Sequence, residues 1–173
     1  MAFGIDDALM TAAAGISLTD TVVRTIEAYR DEGKDLDIEL LIEEVRITAL
    51  ERMDDADQAL AQLRRTLTER KVDLDKTLEE TIAGTGFWRP FEAHRLKRIR
   101  RSFNALADAA YSAVDDIASL VRCRENTQPM GISVVESAKT KHDLHIRLLH
   151  AKSINEAIDL LQEELTRQKK ILK

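Results

Sequence analysis

Proline, glycine, aromatic residues and cysteine are all scarce in this chain, and each shortage closes off a class of fold or chemistry. Two prolines and six glycines in 173 residues supply few turns, which favours long helices over many short elements. Aromatics at 4% are lean for a compact globule but ordinary for helices packed along aliphatic seams. A single cysteine, Cys123, excludes an internal disulfide framework and fits a reducing compartment. Neither charge sign dominates: 26 Lys and Arg stand against 31 Asp and Glu, a net charge of -5 that gives solubility without a general pull toward nucleic acid. Asp6 and Asp7 stand where a secretory leader would be basic. The uncharged stretch from Ala8 to Thr19 is too short to span a bilayer. The expected location is cytoplasmic.

What the chain does have is apolar residues at helical spacing. Four helices are predicted, at 5–30, 35–82, 91–124 and 133–171, packed as one all-α domain, an antiparallel four-helix bundle of three long helices and a shorter first one. The first carries Leu9, Ala12, Ala13, Ile16, Val22, Val23, Ile26 and Tyr29, and is closed by Gly33 as a C-cap. Asp35 or Asp37 caps the second, whose stripe from Ile38 through Ile42, Val45, Ala49 and Met53 to Ile82 steps by about 3.7 residues, the period of a straight helix. Gly84, Gly86 and Pro90 mark the sharpest boundary in the chain. Beyond it the third helix runs along Leu96, Ile99, Phe103, Leu106, Ala110, Val114, Ile117 and Val121. The fourth is predicted as one continuous element along Val135, Ala138, Leu144, Leu148, Ala151, Ile158, Leu161, Leu165 and Leu172.

Catalytic signals are thin. His142 and His145 are three apart, yet the Glu-x-x-His pattern of a di-iron bundle is missing, so both are read as surface or half-buried histidines. Asp54, Asp55 and Asp57 sit mid-helix without the glycine or distal glutamate of a calcium loop, and read as a solvated face. Cys123 reads as a small buried hydrophobe. There is no phosphate-cradling glycine motif and no nucleophile elbow. The chain is therefore expected to be no enzyme and to carry neither cofactor nor metal.

Three features admit a role beyond packing. The basic run Arg89, Arg95, Lys97, Arg98, Arg100 and Arg101 meets no acid after Glu92. It either pairs with neighbouring carboxylates or holds the phosphates of anionic lipid or nucleic acid, with Arg95, Lys97, Arg98 and Arg101 as the candidates. The front of the first helix, nearly apolar all round, is either buried or leaves the bundle for a bilayer or a partner. Its candidates for insertion are Ile5, Leu9, Ile16 and Leu18. Phe87, Trp88, Pro90 and Phe91 form either a hinge or plug at one end of the core or an exposed membrane or partner contact.

The residues from Gly4 through Ala14, Gly15 and Asp20 to Tyr29 resemble the first helix of HeLo and HeLo-like domains, the N-terminal caps of fungal cell-death receptors. The run Leu41 to Arg46 resembles the start of their second helix, and Trp88 to Phe91 their aromatic-proline entry to the third. The wider group includes the killer domain of mixed-lineage kinase-like proteins, the coiled-coil domains of plant helper receptors, and bacterial equivalents. The resemblance implies an effector of regulated cell death or immune defence that self-associates on a signal from a separate or fused sensor. Such an effector then moves to the inner face of a membrane and targets or permeabilises it. A soluble adaptor bundle that binds a protein partner through an exposed helix face is the alternative. Nucleic acid is not an expected partner, because the basic run has no interleaved aromatics.

Overall fold

The computed structural model of the protein describes residues 5–33, 37–70, 90–122 and 134–173. They form a helical bundle: α1 (Ile5–Ile16), α2 (Thr19–Asp31), α3 (Ile38–Arg70), α4 (Pro90–Arg122), α5 (Val134–Leu149) and α6 (Ile154–Leu172). No strand occurs among the described residues.

Three of the predicted boundaries hold for reasons visible in the backbone. Gly33 takes a φ of 64° just after α2, a left-handed conformation in which a Cβ would be strained. The Asp37 carboxylate accepts from the backbone N–H of Glu39 at 3.0 Å and of Leu40 at 3.4 Å, so Asp37 is the acid that caps α3. Pro90 opens α4, where a missing N–H costs no hydrogen bond. The predicted stretch 71–82 of the second helix lies outside the described residues, as do Asp35, Phe87, Trp88, Arg89 and Cys123.

Two predicted helices are corrected. The first is broken at Ser17 and Leu18. Leu18 is fully buried, and its carbonyl accepts the N–H of Val22 at 2.8 Å, restarting the helix as α2. The freed carbonyl of Ser17 accepts from the Arg52 guanidinium of α3, so a cation satisfies the negative end of α1.

The second correction is larger. The single helix predicted for 133–171 is a hairpin that reverses between His150 and Ser153. Thr140 and Arg167 line one cleft, although 27 residues of continuous helix would hold them about 40 Å apart. Ser153 ends the turn as an N-cap with extended backbone, its hydroxyl accepting the Glu156 N–H at 3.0 Å. The Glu156 carboxylate in turn accepts from the N–H of Lys152 at 2.8 Å, a close variant of the reciprocal capping box. Replacing Ser153 with alanine should cost about 0.5–2 kcal/mol of unfolding free energy in a denaturant melt. A Ser153→Thr variant should stay near wild type. Two residues of the predicted stripe face outward at the start of α5: Val135 is 79% exposed and Ala138 is exposed, while the inward row there runs through Ser137, Leu144 and Leu148.

Named contacts fix the directions of the helices. Arg46 donates to the carbonyls of Leu172 and Lys173 at 3.2 and 3.1 Å. Lys169 reaches Asp54 at 2.7 Å and also binds Asp57. Arg64 binds Asp159, and Gln162 at 3.1 Å. As α3 numbers rise, those of α6 fall, so this pair runs in opposite directions. Lys141 with Asp108 at 2.8 Å, and Ser137 with Asp115 at 3.3 Å, set α5 against α4 in the same opposed sense. Arg98 with Asp6 at 2.7 Å, and Thr19 with Asp116 at 3.4 Å, run α1 alongside α4 in the same direction.

The core is aliphatic. Val45, Ala49, Met53, Ala56 and Leu60 on α3 meet Ile99, Phe103, Leu106, Ile117 and Val121 on α4, with Ile158, Leu161 and Leu165 from α6. Helix α4 buries more than one stripe, since Ala107, Tyr111, Ala113 and Ala118 are also inside. It contacts α1, α3, α5 and α6. Its many alanines allow that close approach on several sides.

Candidate functional site

The four insertion candidates all face inward. Ile16 and Leu18 are fully buried, Leu9 is 2% exposed and Ile5 is 8% exposed. They pack with Ala13 into the same core as α3 and α4. Helix α1 is thus 12 residues of mostly apolar sequence, about 18 Å long, with one face inside the bundle and Met10 half exposed on another.

Polar contacts hold this helix at each end. At its start Asp6 forms an ion pair with Arg98; at its finish Arg52 holds the Ser17 carbonyl. Just beyond, the Thr19 hydroxyl donates to the Asp116 carboxylate. Burial pushes the Asp116 carboxyl above its ordinary value, the Thr19 hydrogen bond works against that, and the neighbouring Asp115 adds to it.

Arg98 belongs to the basic run, and Asp6 is a partner that lies far away in sequence. Glu79 and Glu80, the acids nearest to the run at the end of the preceding predicted helix, lie outside the described residues. Lys97 and Arg101 are exposed beside Arg98 on the outer stripe of α4. The Arg95 and Phe91 side chains lie outside the described residues although their backbone belongs to α4. Pro90 is the first residue of that helix, which makes it a helix starter; Phe87, Trp88 and the Phe91 side chain, expected with it as a hinge or plug, lie outside the described residues.

The other sequence candidates resolve into structural contacts. His142 is exposed, whereas His145 approaches Asp108 at 3.2 Å beside Lys141. No group of three His, Cys, Asp or Glu able to hold a metal occurs among the described residues. Asp54 and Asp57 are not simply a solvated face, since they clasp Lys169 between them. Burial lowers the Lys169 pKa, but the hydrogen bonds to Asp54 and Asp57 outweigh it and hold the ammonium above its ordinary value.

One polar cluster was missed by the sequence reading. Tyr111, 1% exposed on α4, donates its hydroxyl to Glu164 of α6 at 2.9 Å. Arg167 Nε donates to both carboxylate oxygens of Glu164 at 3.0 and 3.1 Å, and Gln168 adds a bond at 3.1 Å. Burial raises the Glu164 pKa, but these bonds, led by Arg167, pull it below the ordinary value. The only available signal was a tyrosine amid alanines, with nothing to show which helix would bring it a carboxylate.

A cleft of about 430 Å³ separates α5 from α6, with an apolar floor of Leu144, Ile146 and Leu160 among the charged Asp143, Arg147, Glu163 and Arg167. Charges of both signs alternate there, so it presents no single-sign site. No helix among the described residues is long and apolar enough to cross a membrane. Compared with family models, curated proteins and solved structures, the chain matches none.

Proposed function

We propose that this chain is a non-enzymatic effector module whose first helix is held latent in the bundle and, once released, acts at an anionic membrane surface in regulated cell death or defence. The observation that carries this reading is the clasping of α1. The helix is short and apolar, a break at Ser17 and Leu18 sets it off from α2, and its ends are held by Asp6–Arg98 and Arg52–Ser17 contacts. The resemblance of this segment to the first helix of HeLo-like domains points the same way.

Release would do two things at once. It would deliver Ile5, Leu9, Ile16 and Leu18 to an apolar phase, and it would free Arg98 to join Lys97 and Arg101 in holding lipid phosphates. Each basic residue near an anionic leaflet contributes about 1 kcal/mol. At 12 residues the helix is too short to span the hydrocarbon core. It would lie in the interface with its apolar face down.

The clasp gives a cleaner test than the buried side chains do, because Asp6→Asn and Arg52→Ala leave the apolar face of α1 intact. Dye release from anionic vesicles should rise several-fold in either variant, depend on anionic lipid, and weaken at high salt. Folded wild type and variants that neither bind such vesicles nor release dye would overturn the reading. That outcome would favour the adaptor alternative, which draws its support from Leu40 and Ile47, 58% and 48% exposed on α3.

A further inference from the structure

We infer that the acidic outer stripe at the start of α3 docks onto the basic outer stripe at the start of α4 of a second copy, joining copies head to tail. On α3, Leu40, Glu44, Ile47, Glu51 and Asp55 are all exposed. Their spacing of three and four residues places them in one row on the helix face opposite Leu41, Val45, Ala49 and Met53. The only bases between Leu40 and Asp55 are Arg46 and Arg52. Both are engaged elsewhere, on the carbonyls of Leu172, Lys173 and Ser17. The row is therefore acidic, with two large aliphatic side chains set into it.

The complementary row lies on α4. His94, Lys97, Arg98 and Arg101 are exposed, and no acid lies between His94 and Arg101 in sequence; Arg98 is engaged by Asp6, so Lys97 and Arg101 carry the charge of the row. Met10, 50% exposed, lies one turn on from Asp6, on the same side of α1 as the carboxylate that holds Arg98. Acid with aliphatic on one face thus meets base with aliphatic on the other.

The two rows cannot meet within one molecule. Arg46 lies against the end of α6, whereas Ile99 and Arg100 line a pocket with Ile154 at its start, so the rows sit at opposite ends of the bundle. Nor is either row complementary to itself, because like charges would face each other across a two-fold axis. A contact made through one such pair of rows at a time is heterologous, and it closes into a ring or extends as a filament instead of stopping at a dimer. This inference stands on the charge pattern alone and does not rest on the membrane reading.

Sedimentation or light scattering of the full chain, without lipid, tests it. At low salt the mean mass should rise with concentration beyond twice the 19.5 kDa chain, and salt should return it to monomer. Glu44→Lys with Glu51→Lys makes both rows basic; Lys97→Glu with Arg101→Glu makes both acidic. All four positions are exposed, and circular dichroism checks that each variant stays helical. Each double variant alone should associate about tenfold or more weakly than wild type. An equimolar mixture of the two should recover association, since each then presents the row the other lacks. A wild type that stays monomeric at low salt, an assembly that stops at a dimer, reversed variants that still associate, or a mixture that does not recover would each overturn the head-to-tail contact.

Discussion

Replacing Leu9 with alanine should lower the unfolding free energy by about 2–5 kcal/mol, the range for removing a large aliphatic side chain from a packed core. Leu9 is 2% exposed and packs in the same cluster as Val45, Met53 and Leu106, so little of the vacated space can refill. Urea unfolding followed by circular dichroism measures the loss. The same substitution separates two states of α1. Removing three carbons forfeits about 2.4 kcal/mol of transfer free energy, whether the helix sits in the bundle or in lipid. The cavity left behind is an added cost in the bundle alone, since fluid chains close around the smaller side chain. Leu9→Ala should therefore ease release of α1 even as it weakens the fold, and vesicle leakage should rise at a given amount bound. Leu9→Glu puts a charge where nothing pairs with it and should cost more than the alanine variant. Collapse of that variant says only that α1 is core, and cannot separate an effector from an adaptor.

The legible part of the fold was the part written as repeated spacing. On α3 the row Val45, Ala49, Met53, Ala56, Leu60, Leu63 and Leu67 is buried as predicted, as is the row from Ile99 to Val121 on α4. Where the row is ambiguous by one residue, packing decided: Leu41 is buried and Ile42 only partly so, and Val23 is 48% exposed. The breaks were harder to see. Neither Ser17–Leu18 nor Ala151–Ser153 contains glycine or proline, and apolar residues continue at helical spacing across both. A local signal was present at the second break, where Ser153 precedes Glu156 by three residues at the head of an apolar run. It was outweighed by periodicity that runs on regardless of chain direction, because both arms of a hairpin bury a stripe.

The candidate site was legible as residue types and not as partnerships. A basic run and an apolar first helix can be read from the sequence. That Asp6 answers Arg98, and Arg52 the Ser17 carbonyl, depends on which helices lie side by side. The seam between α3 and α6 shows the same thing. Arg46 at the α6 C-terminus, Asp54 and Asp57 at Lys169, and Arg64 at Asp159 alternate in sign along α3. A slip of one turn would break these pairs, and a slip of about two to three turns would set Lys169 against Arg46 or Arg64, so the ladder selects the register. Each exposed pair contributes little to stability by itself.

Glu164→Ala should destabilise the bundle by about 2–3 kcal/mol, more than the loss of an ordinary half-buried carboxylate, because three donors lose their acceptor together. Tyr111 would keep a buried hydroxyl with no partner, and Gln168, fully buried, would lose the bond its side-chain amide makes. Tyr111→Phe removes donor and demand together and should cost only about 1 kcal/mol. In the double variant the two losses should fall short of their sum, which a thermodynamic cycle reads directly. The pH dependence follows from the same bonds. The Glu164 carboxyl titrates below its ordinary 4.5. The cluster's contribution is therefore complete above that value and is lost as pH falls through the lower folded value. Tyr111 acts at the other extreme. Burial first, then the bond to Glu164 and its charge, push the phenol above its ordinary 10.0. The unfolded chain then gives up that proton before the folded one does, and stability falls as pH rises past 10. Wild type should lose stability over that alkaline range faster than Tyr111→Phe, whose ring has no proton to lose. Parallel alkaline melts of the two proteins would place the network elsewhere than around this tyrosine.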